Sequence, residues 1–385
     1  MKKGLLSLSL GGLCIGMAEF TMMGILPDIA RDVGKEIPVA AHLIALYAIG
    51  VFIGAPILVL ITSKYPPRKV LAILMMMFFF FHGAFSLAPN FWSMEIMRFL
   101  SGLPHGAFFG VGSVVAAKMA PKGKEARYIS IMFTGMTIAN LLGVPLGTYI
   151  GHHYSWRITY GIISVLGFIT AVSAYFWLPK ISADKSNEVS KQLSYFKTKE
   201  SWYLIVLISI GTGGLFAWLS YIAPLVETVS GLEPARIPYI MTLVGLGMFF
   251  GNLLGGKLAD TISPTKSVMV CLSAMVLCLI AVYFTSPITW MAYPMAFITG
   301  LVSFTIGSPV QMMLIRTANG SETLAAAAGQ ASFNIGNTLG AFLGGIPITM
   351  GFAYNTPVLI GASMAFTGVI ITIIFYRQIV LKKYR

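Results

Sequence analysis

The sequence predicts an all-α membrane protein, with twelve transmembrane helices as two six-helix pseudo-symmetric halves. Three observations predict it. Twelve apolar stretches each approach the ~20 residues that a helix needs to cross a bilayer. Lys and Arg are concentrated in alternate connections, and marker residues recur at an offset of 197 to 198 positions.

The balance of residues supports lipid as the solvent. Of 385 residues 57% are hydrophobic and only 10% charged, and the mean hydropathy is +0.82. Soluble domains carry about 25% charged residues, and such an apolar excess in water would expose aggregating patches. Only helices and closed barrels satisfy their backbone polar groups inside lipid.

The first stretch, Gly4–Leu26, follows Met1-Lys2-Lys3 and resembles a signal peptide, with Gly16-Met17-Ala18 as a small-residue cleavage site. Its apolar character continues to Leu26, so it is counted as a retained span. His42–Ile61 and Val70–Leu87 flank the basic turn Lys64–Lys69, and Trp92–Met119 contains Arg98 and Pro104. Tyr128–Gly151 and Trp156–Leu178 complete the first half. The second half reads Trp202–Val226, Ile237–Leu258, Ser267–Phe284, Ile288–Ile315, Leu324–Met350 and Thr356–Ile379. The long polar stretch Pro179–Ser201 separates them, so residues 1–178 form one half, 179–201 a cytoplasmic linker and 202–385 the other half.

Loop charge sets the orientation. Of 26 Lys and Arg residues, four (Arg31, Lys35, Arg157, Arg236) fall in the outer loops if the amino terminus is inside, Arg98 lies within a span, and the other 21 are inner. The positive-inside rule places both termini in the cytoplasm. The net charge of +13 is thereby a topology signal, and no nucleic-acid partner is implied. Cys14, Cys271 and Cys278 have no spacing for a disulfide or zinc site. No metal or cofactor is expected.

Gly16, Pro27, Gly34, Gly50, Gly54 and Lys69 recur as Gly213, Pro224, Gly231, Gly247, Gly251 and Lys266. Further on, Phe99-Leu100-Ser101-Gly102-Leu103 faces Phe297-Ile298-Thr299-Gly300-Leu301, and Lys118 faces Arg316. Two halves in the same orientation form the parallel repeat of one large transporter class, with the substrate site near the midplane.

Four segments carry a family resemblance. Gly54-Ala55-Pro56 through Thr62-Ser63-Lys64-Tyr65-Pro66-Pro67-Arg68-Lys69 occupies the place of the loop motif between spans two and three of major facilitators. Ser63 stands where the motif has its acid, whereas the second copy, Gly255–Asp260, keeps it. The stretch from Arg98 to Gly106 resembles the fourth-span arginine motif linked with proton coupling, and Gly143-Val144-Pro145-Leu146-Gly147 the fifth-span antiporter signature. Gly16–Phe20, Leu26-Pro27-Asp28 and Pro104–Gly112 are similar to the AraJ-type arabinose efflux permeases. The resemblance implies a major facilitator fold, a gate involving Lys64, Arg68, Asp260, Gly143, Pro145 and Gly147, and solute export across a bacterial inner membrane.

Ionisable groups inside a span cost at least ~2.5–3.5 kcal/mol and usually face a cavity or one another. Glu19 and Arg98 lie roughly 12 Å and 9 Å from the outer ends of their spans at 1.5 Å per residue. Matching depths suggest a pair in which Glu19 carries the proton and Arg98 tunes it; a permanent salt bridge is the competing reading. Glu95 shares the Arg98 face as an anchor or alternative partner. His105 suits a relay, a substrate hydrogen bond or plain packing. Gln330, Asn334 and Asn337 form one stripe at i, i+4 and i+7. With Asn140, Asn252, Gln311, Trp218 and Tyr221 they offer hydrogen bonds and stacking faces to a hydroxylated solute, or interhelical packing ties. Met75–Phe81 reads as lipid-facing, His152 and His153 as an outer loop, and Trp156-Arg157 as an interfacial anchor.

The expected activity is export of a sugar or sugar-like metabolite by a monomeric proton antiporter, with multidrug or nucleoside efflux as the alternative. A membrane enzyme would need a nucleophile–base pair or metal cluster at depth, and the sequence offers no such motif. A receptor on the same fold would bind its ligand without moving it.

Overall fold

A computed structural model describes residues 2–35, 37–182 and 192–380. All regular structure among these residues is helical. Six long helices run through the first half: α1 (Lys2–Asp32), α2 (His42–Thr62), α3 (Pro67–Ser86), α4 (Phe91–Met119), α5 (Glu125–His153) and α6 (Trp156–Trp177). The second half has α7 (Lys199–Leu219), α8 (Ile237–Thr261), α9 (Pro264–Thr285), α10 (Thr289–Thr317), α11 (Glu322–Thr349) and α12 (Pro357–Ile379).

Eleven of these are long and apolar enough to cross a membrane on both criteria. The remaining helix, α11, has 28 residues, about 42 Å at 1.5 Å per residue, so its length suffices. Gln330, Asn334 and Asn337 lower its hydropathy, which fits a helix with neighbours along its length. The fold is the twelve-helix arrangement expected from the pattern.

Helix ends depart from the sequence reading where local chemistry acts. The Asn90 side chain accepts from the Ser93 N–H and Ser93 answers in a capping box, which starts α4. Span seven, expected as one helix, breaks at Thr212 and Ser220 and ends in a wide π turn, Leu225–Val229. Gly211, Gly213, Gly214 and Pro224 explain that irregularity. In α10 the helix is interrupted at Ile306, where Pro309 cannot donate to the preceding turn. Gly123 and Gly320, with φ of 80° and 92°, make equivalent left-handed turns before α5 and α11. They are 197 positions apart.

The chain forms two compact units: Met1–Pro121 with Ile131–Tyr195 and Ala318–Ala331, and Lys122–Ser130 with Phe196–Thr317 and Ser332–Arg385. In the first, α2 packs along α4 and α3 along α6; in the second, α8 packs along α10 and α9 along α12. The repeat reaches atomic detail. A β-carbon added at Gly50 or Gly54 would strike the carbonyls of Phe99 or Leu103, and one at Gly247 or Gly251 those of Phe297 or Leu301. Glycine is what lets these backbones touch, as in other closely packed membrane helices.

Two surface assignments need correction. Met75 and Phe78 are fully buried while Phe80 is exposed, so only one face of the Met75–Phe81 run is available to lipid. Trp156 is buried and its indole N–H donates to Asp32 Oδ2 at 3.0 Å. It ties α6 to α1 instead of lying in the interface.

Candidate functional site

The first unit encloses a basic and aromatic cluster around Arg98. The side chain is 1% exposed. Its Nε donates to the Leu43 carbonyl at 3.2 Å and its Nη1 to the Ala18 carbonyl at 3.4 Å. The guanidinium also lies over the rings of Tyr47 (4.3 Å), Phe85 (5.6 Å) and Tyr160 (5.6 Å). Burying an unpaired charge is very costly; here carbonyl dipoles and ring faces replace a counterion, a desolvated cation–π contact contributing about 2 kcal/mol.

The direct Glu19–Arg98 salt bridge is not formed. Ion pairs within 4.0 Å among the described residues are all at other positions. Arg98 instead meets the carbonyl one residue before Glu19, together with the Leu43 carbonyl. Glu95 pairs with His42 at 3.5 Å, which leaves it an anchor between α2 and α4.

His105 is buried two turns beyond Arg98, and its Nδ1 lies 3.2 Å from the Tyr47 hydroxyl. His82 from α3 is also buried, with Nδ1 2.9 Å from the Phe78 carbonyl and no partner at Nε2. Its ring stacks on Tyr160 at 6.0 Å, and the Tyr160 hydroxyl donates to the Ala18 carbonyl at 3.2 Å. Tyr47, His82 and Tyr160 are absent from the sequence-derived set. A signal exists for two of them. Tyr47 shares a face with Gly50 and Gly54, and His82 shares one with Phe78 and Phe85.

At the end of this unit where α1 meets α5, His152 pairs with Asp28, and Arg157 donates to the Ser86 and Ala88 carbonyls at 3.1 and 2.8 Å. The segment Gly143–Gly147 lies on α5 and begins at the last residue of a π turn, Ala139–Gly143. Side chains at Gly143 and Gly147 would meet Met17 and Thr21, so these glycines pack α5 against α1, while Pro145 is exposed.

The second unit contains a carboxylate latch. Asp260 accepts from the Ala126 and Arg127 N–H groups, both at 2.9 Å, at the amino terminus of α5. Glu125 beside it faces Arg316 at 3.9 Å. Free N–H groups and the helix dipole at a first turn favour an anion there. The equivalent position in the first unit, Ser63, donates to the Leu60 carbonyl at 2.8 Å. Lys64 is exposed, and Arg68 lies over the Tyr175 ring at 4.9 Å.

The amide candidates are dispersed over several helices. Asn252 donates to the Ser130 carbonyl at 2.7 Å and Asn140 to the Met136 carbonyl at 3.2 Å. Tyr221 donates to the Ala341 carbonyl at 2.7 Å. Trp218, Gln311, Gln330 and Asn334 are buried and Asn337 is half-buried. For Asn252, Asn140 and Tyr221 these bonds are ties within or between helices.

Comparisons with known proteins agree with this architecture. The family model described as Major Facilitator Superfamily matches residues 8–345. AraJ of Escherichia coli (strain K12), whose name marks it provisionally as a transporter, is 39% identical over 96% of this chain and 93% of its own. The inner membrane transport protein YdhP of the same organism is 36% identical over 96% and 95%. A Helicobacter acinonychis (strain Sheeba) protein provisionally named a sugar efflux transporter is 26% identical over 90% and 88%. The crystal structure of the human organic anion transporter MFSD10 shares the fold, with a TM-score of 0.73 and 11% identity over 96% of this chain and 99% of that one. The chain belongs to the major facilitator superfamily and is a membrane transporter, not an enzyme.

Proposed function

We propose that this transporter exports a sugar or sugar-like metabolite by alternating access, in exchange for protons. The observation that carries the proton-coupling part is the buried Arg98 cluster. A fixed cation lies without a contacting carboxylate: it bonds the Ala18 carbonyl, which precedes Glu19 on α1, and it lies two turns along α4 from His105. Moving a proton on or off either group changes the charge of an enclosed pocket, which can favour one access state over the other.

The sugar reading is supported by the relatives' names and by amide-bearing helices suited to hydroxyl groups. On this reading Gln311, Gln330, Asn334 and Asn337 contact solute, with Asn140, Asn252, Trp218 and Tyr221 supporting them. On this reading Asp260 acts as a cytoplasmic latch, and Lys64 and Arg68, in the basic turn after α2, take part in gating. Lys/Arg asymmetry supports cytoplasmic termini in a bacterial inner membrane.

Transport in proteoliposomes tests the reading. Acid-interior vesicles containing the protein should accumulate labelled sugars, and a protonophore should abolish the accumulation. Equal uptake with and without the gradient would remove the antiport. Uptake of nucleosides or lipophilic cations but not sugars would change the substrate class.

A further inference from the structure

Arg98 and His105 are seven residues apart on α4, roughly 10 Å along its axis. Tyr47, from α2 and 3% exposed, contacts both. Its ring receives the Arg98 guanidinium at 4.3 Å, and its hydroxyl lies 3.2 Å from His105 Nδ1. The charged and titratable groups around this contact are Glu19 on α1, His82 on α3, Arg98 and His105 on α4, and Tyr160 on α6. We propose that Tyr47 is a positioning residue through which the proton state of His105 controls the hold of Arg98 on α1 and α2. This rests on the proton-coupled reading above.

The link follows from the two-way chemistry of a phenol. With Nδ1 bare, His105 accepts the Tyr47 O–H, and a donating phenol keeps an electron-rich ring for the guanidinium. A proton arriving at His105 converts imidazole to imidazolium, with an N–H on both nitrogens. Nδ1–H then donates to the Tyr47 oxygen, and the phenol hydrogen must turn away. His82 meets Tyr47 edge-on at 6.3 Å and supplies an acceptor in the same pocket, since its Nε2 is buried without a partner.

Two consequences oppose Arg98 in that state. The phenol oxygen now accepts, which withdraws density from the ring face. A second cation also lies 5.8 Å from the same ring centroid, where like charges in a low dielectric repel strongly. Arg98 holds the Ala18 and Leu43 carbonyls, so weakening its seat on Tyr47 loosens the junction of α1, α2 and α4. The guanidinium is then released toward Glu19. One proton enters and no covalent bond breaks besides its transfer.

The test follows both side chains by magnetic resonance in the full-length protein, with isotope-labelled histidine and arginine, as the pH is lowered stepwise. His105→Gln and Arg98→Lys assign the two signals. In the wild type the Arg98 signal should move with the same midpoint as that of His105. In Tyr47→Phe, which keeps the ring and its volume, His105 should still titrate while the Arg98 shift is lost. An Arg98 shift that persists in Tyr47→Phe, or is missing from the wild type, overturns the proposal. Wild-type vesicles that move no sugar under a pH gradient overturn the transport reading instead, independently of these signals.

Discussion

Arg98 donates to the main-chain oxygen of Ala18 at 3.4 Å and leaves the next residue's carboxylate, Glu19, beyond ion-pair distance. A guanidinium that already holds two carbonyls need not release a carboxylate before Glu19 can take a proton. Glu19→Gln should therefore abolish pH-driven transport while leaving expression and thermal stability close to wild type. Transport that still follows an imposed pH gradient in this variant would remove Glu19 from the coupling.

Arg98→Lys separates charge from geometry. An ammonium is a point charge and cannot reproduce a fork directed at the Leu43 and Ala18 carbonyls. Loss of one charged hydrogen bond costs about 1.5–3 kcal/mol, so the variant should melt measurably earlier in detergent. Transport should fall with it even though the positive charge is kept. A variant with wild-type melting and transport would mean that charge alone suffices.

The sequence revealed the helices and the repeat more completely than the cluster. Twelve spans were legible because lipid requires long apolar stretches, and duplication was legible because Gly50 and Gly247 answer the same backbone contact. Arg98, Glu19 and His105 were legible as charges in apolar surroundings. Their pairing was not. Main-chain oxygens carry no residue signature, so nothing in the letters shows that Ala18 and Leu43 would take the place of a carboxylate. Tyr47 and Tyr160 were hidden because an aromatic residue in a span is usually packing, and His82 because it ends a run of phenylalanines. The breaks in α7 and α10 depend on local competition at Gly213 and Pro309 that hydropathy cannot register.

Glycine positions give a graded stability test. Gly161 on α6 has nothing within 4 Å of an added β-carbon, whereas Gly247 on α8 faces the Phe297 carbonyl. Gly161→Ala should be neutral or stabilising by up to about 1 kcal/mol through helix propensity. Gly247→Ala should destabilise by about 1–3 kcal/mol, since a main-chain oxygen cannot move aside like a side chain. Melting curves in detergent check both. Equal effects would show that the tight approach of α8 and α10 is not maintained.

Asp260 and Ser63 occupy equivalent positions 197 residues apart, and only Asp260 caps a helix, accepting from Ala126 and Arg127. A charge at a helix amino terminus is worth about 0.3–1 kcal/mol, which corresponds to a shift of roughly two- to fivefold in a two-state equilibrium. Asp260→Asn keeps one acceptor and removes the charge, so on the proposed gating role the Asp260 end should open more readily by that factor. Ser63→Asp supplies a carboxylate at the equivalent repeat position of the first unit, where Ser63 now donates to the Leu60 carbonyl. It should shift the same equilibrium toward closure by a similar factor and slow transport. Labelling rates of single cysteines introduced along the inner half of α5 and α11 read both effects. Opposite changes in the two variants are expected, because one removes a carboxylate from a repeat position and the other adds one at its counterpart. Changes in the same direction, or none, would mean that the carboxylate only fixes the local turn and does not set access.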